Sequence, residues 1–125
     1  MKHQKFSIKA RLKSFVYAFD GLKTLVKEEH NSWIHLVAAI GVILASVFFE
    51  LSTSEWFAVI LSIAFVFSME LINSAIENMA DMISNEKNET IRKIKDLAAA
   101  AVLVAAFAAF MVGIIIFIPK ILNLG

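Results

Sequence analysis

The sequence predicts an all-α membrane protein, with three transmembrane helices preceded by an N-terminal amphipathic helix on the membrane surface. Two observations carry this prediction. The first is composition: 59% of the 125 residues are hydrophobic and 18% are charged, with a mean hydropathy of +0.75. A water-soluble domain of this size cannot hide that much apolar surface. The second is the gathering of apolar residues into three stretches, at about 33–51, 56–78 and 97–118. Each approaches the roughly 20 residues a helix needs to cross a bilayer. The length suits a single domain, 1–125. With no cysteine present, disulfides and thiolate metal sites are excluded.

Residues of about 6–28 form the amphipathic element. Leu12, Phe15, Val16, Phe19, Leu22 and Val26 recur at helical spacing, while Lys9, Lys13, Asp20, Lys23 and Lys27 fall largely elsewhere on the wheel. Such a helix lies among the headgroups with its lysines near anionic lipid. It is either a plain anchor or a lid over an active site. Gly21 is a hinge or only a weak point. Glu28-Glu29-His30-Asn31-Ser32 then breaks the apolar pattern, and Trp33 and His35 read as interfacial residues.

The first connection, Ser52-Thr53-Ser54-Glu55, is short and forces a tight antiparallel hairpin. Ser54 is the expected cap of the second span, and Glu50 and Glu55 are expected to face water. The second connection, roughly 84–96, is polar and charged. Its Asn88-Glu89-Thr90 matches the glycosylation pattern, which a cytoplasmic loop does not use. The third span runs from Leu97 to Ile118 without a charge and is expected to stop at Pro119. Its alanines, among them Ala98, Ala101, Ala105 and Ala109, let helices approach closely in lipid and predict a tight, self-associating bundle. None of the apolar runs resembles a cleavable signal.

Basic residues set the orientation. Seven precede the first span (Lys2, Lys5, Lys9, Arg11, Lys13, Lys23 and Lys27) and four lie in the second connection (Lys87, Arg92, Lys93 and Lys95), while only Lys120 lies at the far end. The N-terminus and the segment 70–81 are therefore assigned to the cytoplasmic side.

That segment holds the polar residues hardest to explain by structure alone. Glu70, Asn73, Glu77 and Asp81 have offsets of 3, 7 and 11, which at 100° per residue places them within about 80° of one another. Glu28 and Glu29, ahead of the first span, and Lys95 and Asp96, ahead of the third, converge at the same membrane surface. Polar groups within a span are expensive and usually functional. Carboxylates from separate helices suit a hard divalent cation that shares its shell with phosphate oxygens. A lysine neutralises phosphate, and a carboxylate in an apolar setting accepts a proton. Together these parts support phosphoryl transfer to an alcohol. Bland readings stand beside each: Asp81 and Glu86 as solvated charges, Asp96 as a helix cap, Lys95 as an inside-positive anchor, and Glu70 with Asn73 as interhelical hydrogen-bonding groups. The P-loop and soluble-kinase motifs are absent.

Glu70-Leu71-Ile72-Asn73-Ser74-Ala75-Ile76-Glu77, then Asp81, then Lys95-Asp96, resembles the prokaryotic diacylglycerol kinase family, which includes the undecaprenol kinases. The resemblance covers nearly the whole chain, including Ala18-Phe19-Asp20-Gly21-Leu22, the stretch from Glu29 to His35, and Ile116-Phe117-Ile118-Pro119-Lys120. It implies a small lipid kinase of the bacterial cytoplasmic membrane, homotrimeric, with active sites shared between neighbouring subunits. ATP with Mg2+ would give its γ-phosphate to a lipid hydroxyl.

By that resemblance Glu70 is the general base and Asn73 positions the reacting groups. Glu29 and Glu77 hold the magnesium–nucleotide, and Lys95 contacts phosphate. Asp96 orients its neighbours or touches the nucleotide, Asp81 transfers more weakly, and the N-terminal basic contact falls to Arg11 or Lys13. Glu28 replaces Glu29 if the register slips by one. Two departures stand out. Asn31-Ser32-Trp33-Ile34-His35 replaces the family's frequent Asn-Phe-Arg-Ile-His and so loses an arginine, and Ala100 stands where many members have glycine. The short length and the Ile-Phe-Ile-Pro-Lys ending favour undecaprenol, whose phosphate feeds the carrier-lipid pool for cell-wall synthesis. Asn73-Ser74 and Ala100 occur readily on the diacylglycerol side, whose product is phosphatidate.

Two rivals belong to other classes. A transporter needs polar residues through the full membrane depth, yet the outer halves of the spans offer only Ser46 and Ser62. A structural subunit would not require Glu70, Asn73 and Glu77 on one stripe.

Overall fold

The computed structural model describes residues 5–84 and 88–124. Lys2, Glu86 and Lys87, named above, lie outside the described residues. Four helices follow in order: α1 (Ile8–Glu28), α2 (His30–Phe48), α3 (Thr53–Ile83) and α4 (Glu89–Leu122). No strand occurs among the described residues. By length and composition α2, α3 and α4 are each able to cross a membrane, with mean hydropathies of 1.8, 2.0 and 3.0 over an 18-residue stretch of each. At 1.5 Å per residue, the 31 residues of α3 and 34 of α4 reach roughly 46 and 51 Å, well past a hydrocarbon core of about 30 Å.

α1 begins where the Ser7 side chain accepts from the Ala10 amide at 3.3 Å, satisfying one of the orphan amides of the first turn. It runs unbroken through Gly21. Only Leu25 is buried; Leu12, Phe15, Val16 and Phe19 are all exposed in the single chain. Glu29 alone, in extended backbone, separates α1 from α2. Two side chains pin this corner. The buried Ser32 hydroxyl donates to the Glu29 carbonyl at 2.6 Å, and Trp33 Nε1 donates to the Val26 carbonyl at 2.9 Å.

The corner between α2 and α3 carries a Schellman motif: the Leu51 amide bonds the Ser46 carbonyl and the Glu50 amide bonds the Val47 carbonyl, both at 3.2 Å. Glu50 holds the left-handed position (φ 52) where glycine is usual. Ser54 is not the cap. Ser52 is, and it forms a capping box with Glu55, because only the residue three positions before an acidic side chain can exchange both bonds. Glu55 also does more than face water, since Lys120 Nζ lies 3.2 Å from its Oε1.

The connection from α3 to α4 is shorter than expected. α4 starts at Glu89, with the Asn88 side chain accepting from the Thr90 and Ile91 amides at 2.8 and 3.3 Å. Asp96 is therefore inside a helix and caps nothing. Nor does Pro119 end α4, which continues to Leu122. Its missing amide costs about 3 kcal/mol in a helix interior, but leaving the last turn uncoiled beside lipid would strand more backbone groups.

α4 packs along α3 in the most extensive contact of the molecule. The packed residues repeat every seven positions: Ile91, Ala98 and Ala105 on α4, and Val59, Val66 and Ala80 on α3. This is the period that keeps one helix face on its neighbour. Ala105 is fully buried, so the alanines bring the two backbones together. At the far end Leu51, Val59 and Ile116 form the core, with Val42, Trp56 and Phe117 against them.

Candidate active site

The same seven-residue period that packs α3 against its neighbours carries its polar residues inward. Glu70 and Glu77 are one heptad apart, and Asn73 continues the series of Val59 and Val66. Glu70 is consequently buried, at 3% exposure, as is Ser74 at 6%. A carboxylate in that position is costly unless it is paired. His35 on α2 stands against it, Nδ1 facing Glu70 Oε1, although neither atom completes a hydrogen bond among the described residues.

One turn nearer the helix end, Asn73 Nδ2 donates to Glu77 Oε1 at 3.3 Å. The Asn73 carbonyl oxygen is buried with no hydrogen-bond partner among the described residues. Such a group is normally satisfied, so Asn73 keeps an acceptor free inside the site. Across from Glu77 lies Glu29, at the corner between α1 and α2. Its carboxyl stands above the usual carboxylate range. Desolvation is the largest cause, followed by a hydrogen bond and repulsion from Glu77 and repulsion from Glu70; a hydrogen bond with Ser74 acts the other way. Glu29, Glu70 and Glu77 thus form one acidic cluster. Glu28 stands outside it, accepting from Asn78 Nδ2 at 3.5 Å.

Lys95 Nζ bonds Asp81 Oδ1 at 2.6 Å, joining α4 to the end of α3. The side chains are 38% and 56% exposed, so this pair contributes little to stability and exchanges partners easily. Asp96 beside it is exposed. Arg11 is not brought to the cluster within one chain. It lies 18 residues up α1 from Glu29, roughly 27 Å along the axis, with its guanidinium 5.4 Å above the Phe6 ring. Lys13 is likewise distant.

Among the described residues no set of three or more His, Asp and Glu side chains is arranged to hold a metal unaided. Two carboxylates that repel each other are, however, the donor set that Mg2+ uses when phosphate oxygens and water fill its remaining positions.

His35 is the site residue that reading the sequence missed. The signal existed: Ser32, Ala39 and Ser46 are buried at intervals of seven on α2, and His35 falls between them on the same face.

The geometry has a counterpart in known proteins. The prokaryotic diacylglycerol kinase model matches residues 16–117. This chain belongs to that family. It is thereby a lipid kinase, an enzyme rather than a transport or structural subunit. The undecaprenol kinase of Bacillus subtilis (strain 168) is 38% identical over 109 residues, covering 87% of this chain and 89% of the relative. The diacylglycerol kinase of Synechocystis sp. is 34% identical over 114 residues, covering 90% of this chain and 65% of that longer protein. The diacylglycerol kinase of Haemophilus influenzae is 32% identical over 95 residues, 75% and 80% of the two chains.

Proposed function

We propose that this chain transfers the γ-phosphate of ATP to the hydroxyl of a membrane lipid, and that the lipid is undecaprenol. The observation that carries the reading is the convergence of the buried Glu70 with the Glu29–Glu77 pair at one level of the bundle. A base and a cation-binding pair stand side by side there, at the end of helices otherwise suited to lipid.

The chemistry follows from the residues. The lipid hydroxyl gives its proton to a carboxylate oxygen of Glu70 while its own oxygen bonds the γ-phosphorus. The bond from that phosphorus to the β,γ-bridging oxygen breaks, and ADP leaves with the electron pair. Asn73 orients the reacting groups through its free carbonyl oxygen. Glu29 and Glu77 hold Mg2+, whose charge offsets that of the triphosphate. Lys95 moves from Asp81 to a phosphate oxygen, with Asp81 and Asp96 flanking it. Arg11 or Lys13 reaches the nucleotide of a neighbouring protomer, since neither reaches its own cluster. That agrees with a homotrimer whose sites lie between subunits. The site faces the cytoplasm of a bacterial cell, with α1 on the inner surface of the cytoplasmic membrane and its exposed Leu12, Phe15 and Phe19 among the lipids.

The choice of undecaprenol rests on the higher identity to the B. subtilis enzyme across nearly all of both chains. The diacylglycerol kinases among the relatives make diacylglycerol the alternative. The test offers both lipids to purified protein with ATP and Mg2+. Undecaprenyl phosphate should form faster, and Glu70→Gln should abolish turnover in a folded assembly. Faster phosphatidate formation reverses the substrate assignment. Full activity in Glu70→Gln removes the assignment of the base.

A further inference from the structure

Two features meet at His35. Its Nδ1 faces Glu70 Oε1, with side-chain exposures of 24% and 4%. Its ring also lines a cavity of about 380 Å³ between α2, α3 and α4, whose other lining residues, such as Ala39, Val66, Phe67 and Phe110, are all apolar. His35 is therefore the one polar side chain on that wall, standing between an oily space and the buried carboxylate.

We propose that His35 is a positioning residue for the phosphoryl transfer, acting through Glu70. The inference rests on Glu70 being the base, as read above. An ionised carboxylate only accepts hydrogen bonds, so for the reaction the facing Nδ1 carries the hydrogen and turns to donate it to Oε1, a bond that the single chain does not complete. That bond fixes the rotation of the carboxylate and occupies one oxygen. The other oxygen is left to take the proton of the lipid hydroxyl. Asn73 is directed elsewhere, its amide nitrogen donating to Glu77. Without His35 the carboxylate turns freely in its pocket, and misplacement of a catalytic group by about 1 Å costs on the order of 100-fold in rate.

The test compares His35→Leu, which fills space without donating, with His35→Asn, whose amide nitrogen sits near the position of Nδ1. Both are measured for kcat and for the KM for ATP. His35→Leu should lower kcat by about 10- to 100-fold while the KM for ATP stays near that of the natural protein. His35→Asn should recover a clear part of the loss. Unchanged kcat in His35→Leu overturns the proposal. So does equal loss in both variants, which marks a role for ring volume. If the natural protein phosphorylates no lipid alcohol, or Glu70→Gln is fully active, the underlying reading fails instead. The two failures are thus distinct.

Discussion

Replacing Glu77 by Gln should stabilise the protein in the absence of metal while abolishing its response to Mg–ATP. Glu77 faces Glu29, and Glu70 adds to the repulsion. Two unit charges about 4 Å apart interact by about 1 kcal/mol in bulk water and about 4 kcal/mol in near-surface protein. Glu29 sits at a half-buried corner, so the relief lies between these limits, and near the lower one in salt. The opposing loss is small, because the ammonium of Lys95 is committed chiefly to Asp81 at 2.6 Å. The Asn73 bond survives, since a glutamine carbonyl still accepts it. Mg–ATP at 100 times its Kd stabilises a protein that binds it by about 2.7 kcal/mol, a gain the variant should lack. Unfolding in detergent, followed by the fluorescence of Trp33 and Trp56 with chelator or with Mg–ATP, measures both effects. Lower stability of Glu77→Gln in chelator, or an undiminished response to Mg–ATP, would refute the pairing of Glu29 and Glu77 as a cation site.

Four further outcomes follow from particular contacts. Ser52→Ala removes the side-chain half of the capping box and should cost about 1 kcal/mol of stability in the same unfolding assay, with KM values unchanged. Lys95→Met should raise the KM for ATP about tenfold through loss of one charge-assisted bond, whereas Asp81→Asn should shift stability by less than about 1 kcal/mol, because that pair is exposed. Glu29 gives a pH dependence. Its carboxyl is raised in the fold, so the native state holds that proton more tightly than the unfolded chain, and its contribution to stability is full below about 4.3 and lost as pH rises through the raised value. In metal-free protein Glu29→Gln should flatten this part of the stability profile, and superimposable profiles would remove the acidic cluster from the account.

The helices were legible because length and apolar runs decide whether a segment crosses a bilayer. The stripe of Glu70, Asn73 and Glu77 was legible because polar groups stand out in such a run. What escaped reading depends on partners distant in sequence. His35 looks like an interfacial histidine until α3 brings Glu70 to it. Glu55 looks solvated until the end of α4 delivers Lys120. The first two turns of α4 were hidden because charged residues surround Ile91, whose seven-residue link to Ala98 is the only mark of a packed face. Pro119 was read by its local preference, which the demands of backbone in lipid override. Ser54 and Ser52 are equally good caps by type, and only the reciprocal bond with Glu55 separates them.

The overhang of α3 and α4 has a consequence for turnover. The rod that anchors the protein also carries Glu70 and Glu77 of the acidic cluster, with no break in α3 beside them. Those two carboxylates therefore cannot shift apart from the anchor itself. Under the proposed transfer, the greasy alcohol would glide in from the side, within the plane of the leaflet, while the nucleotide would arrive from water below. On that reading the two supplies would use separate doorways.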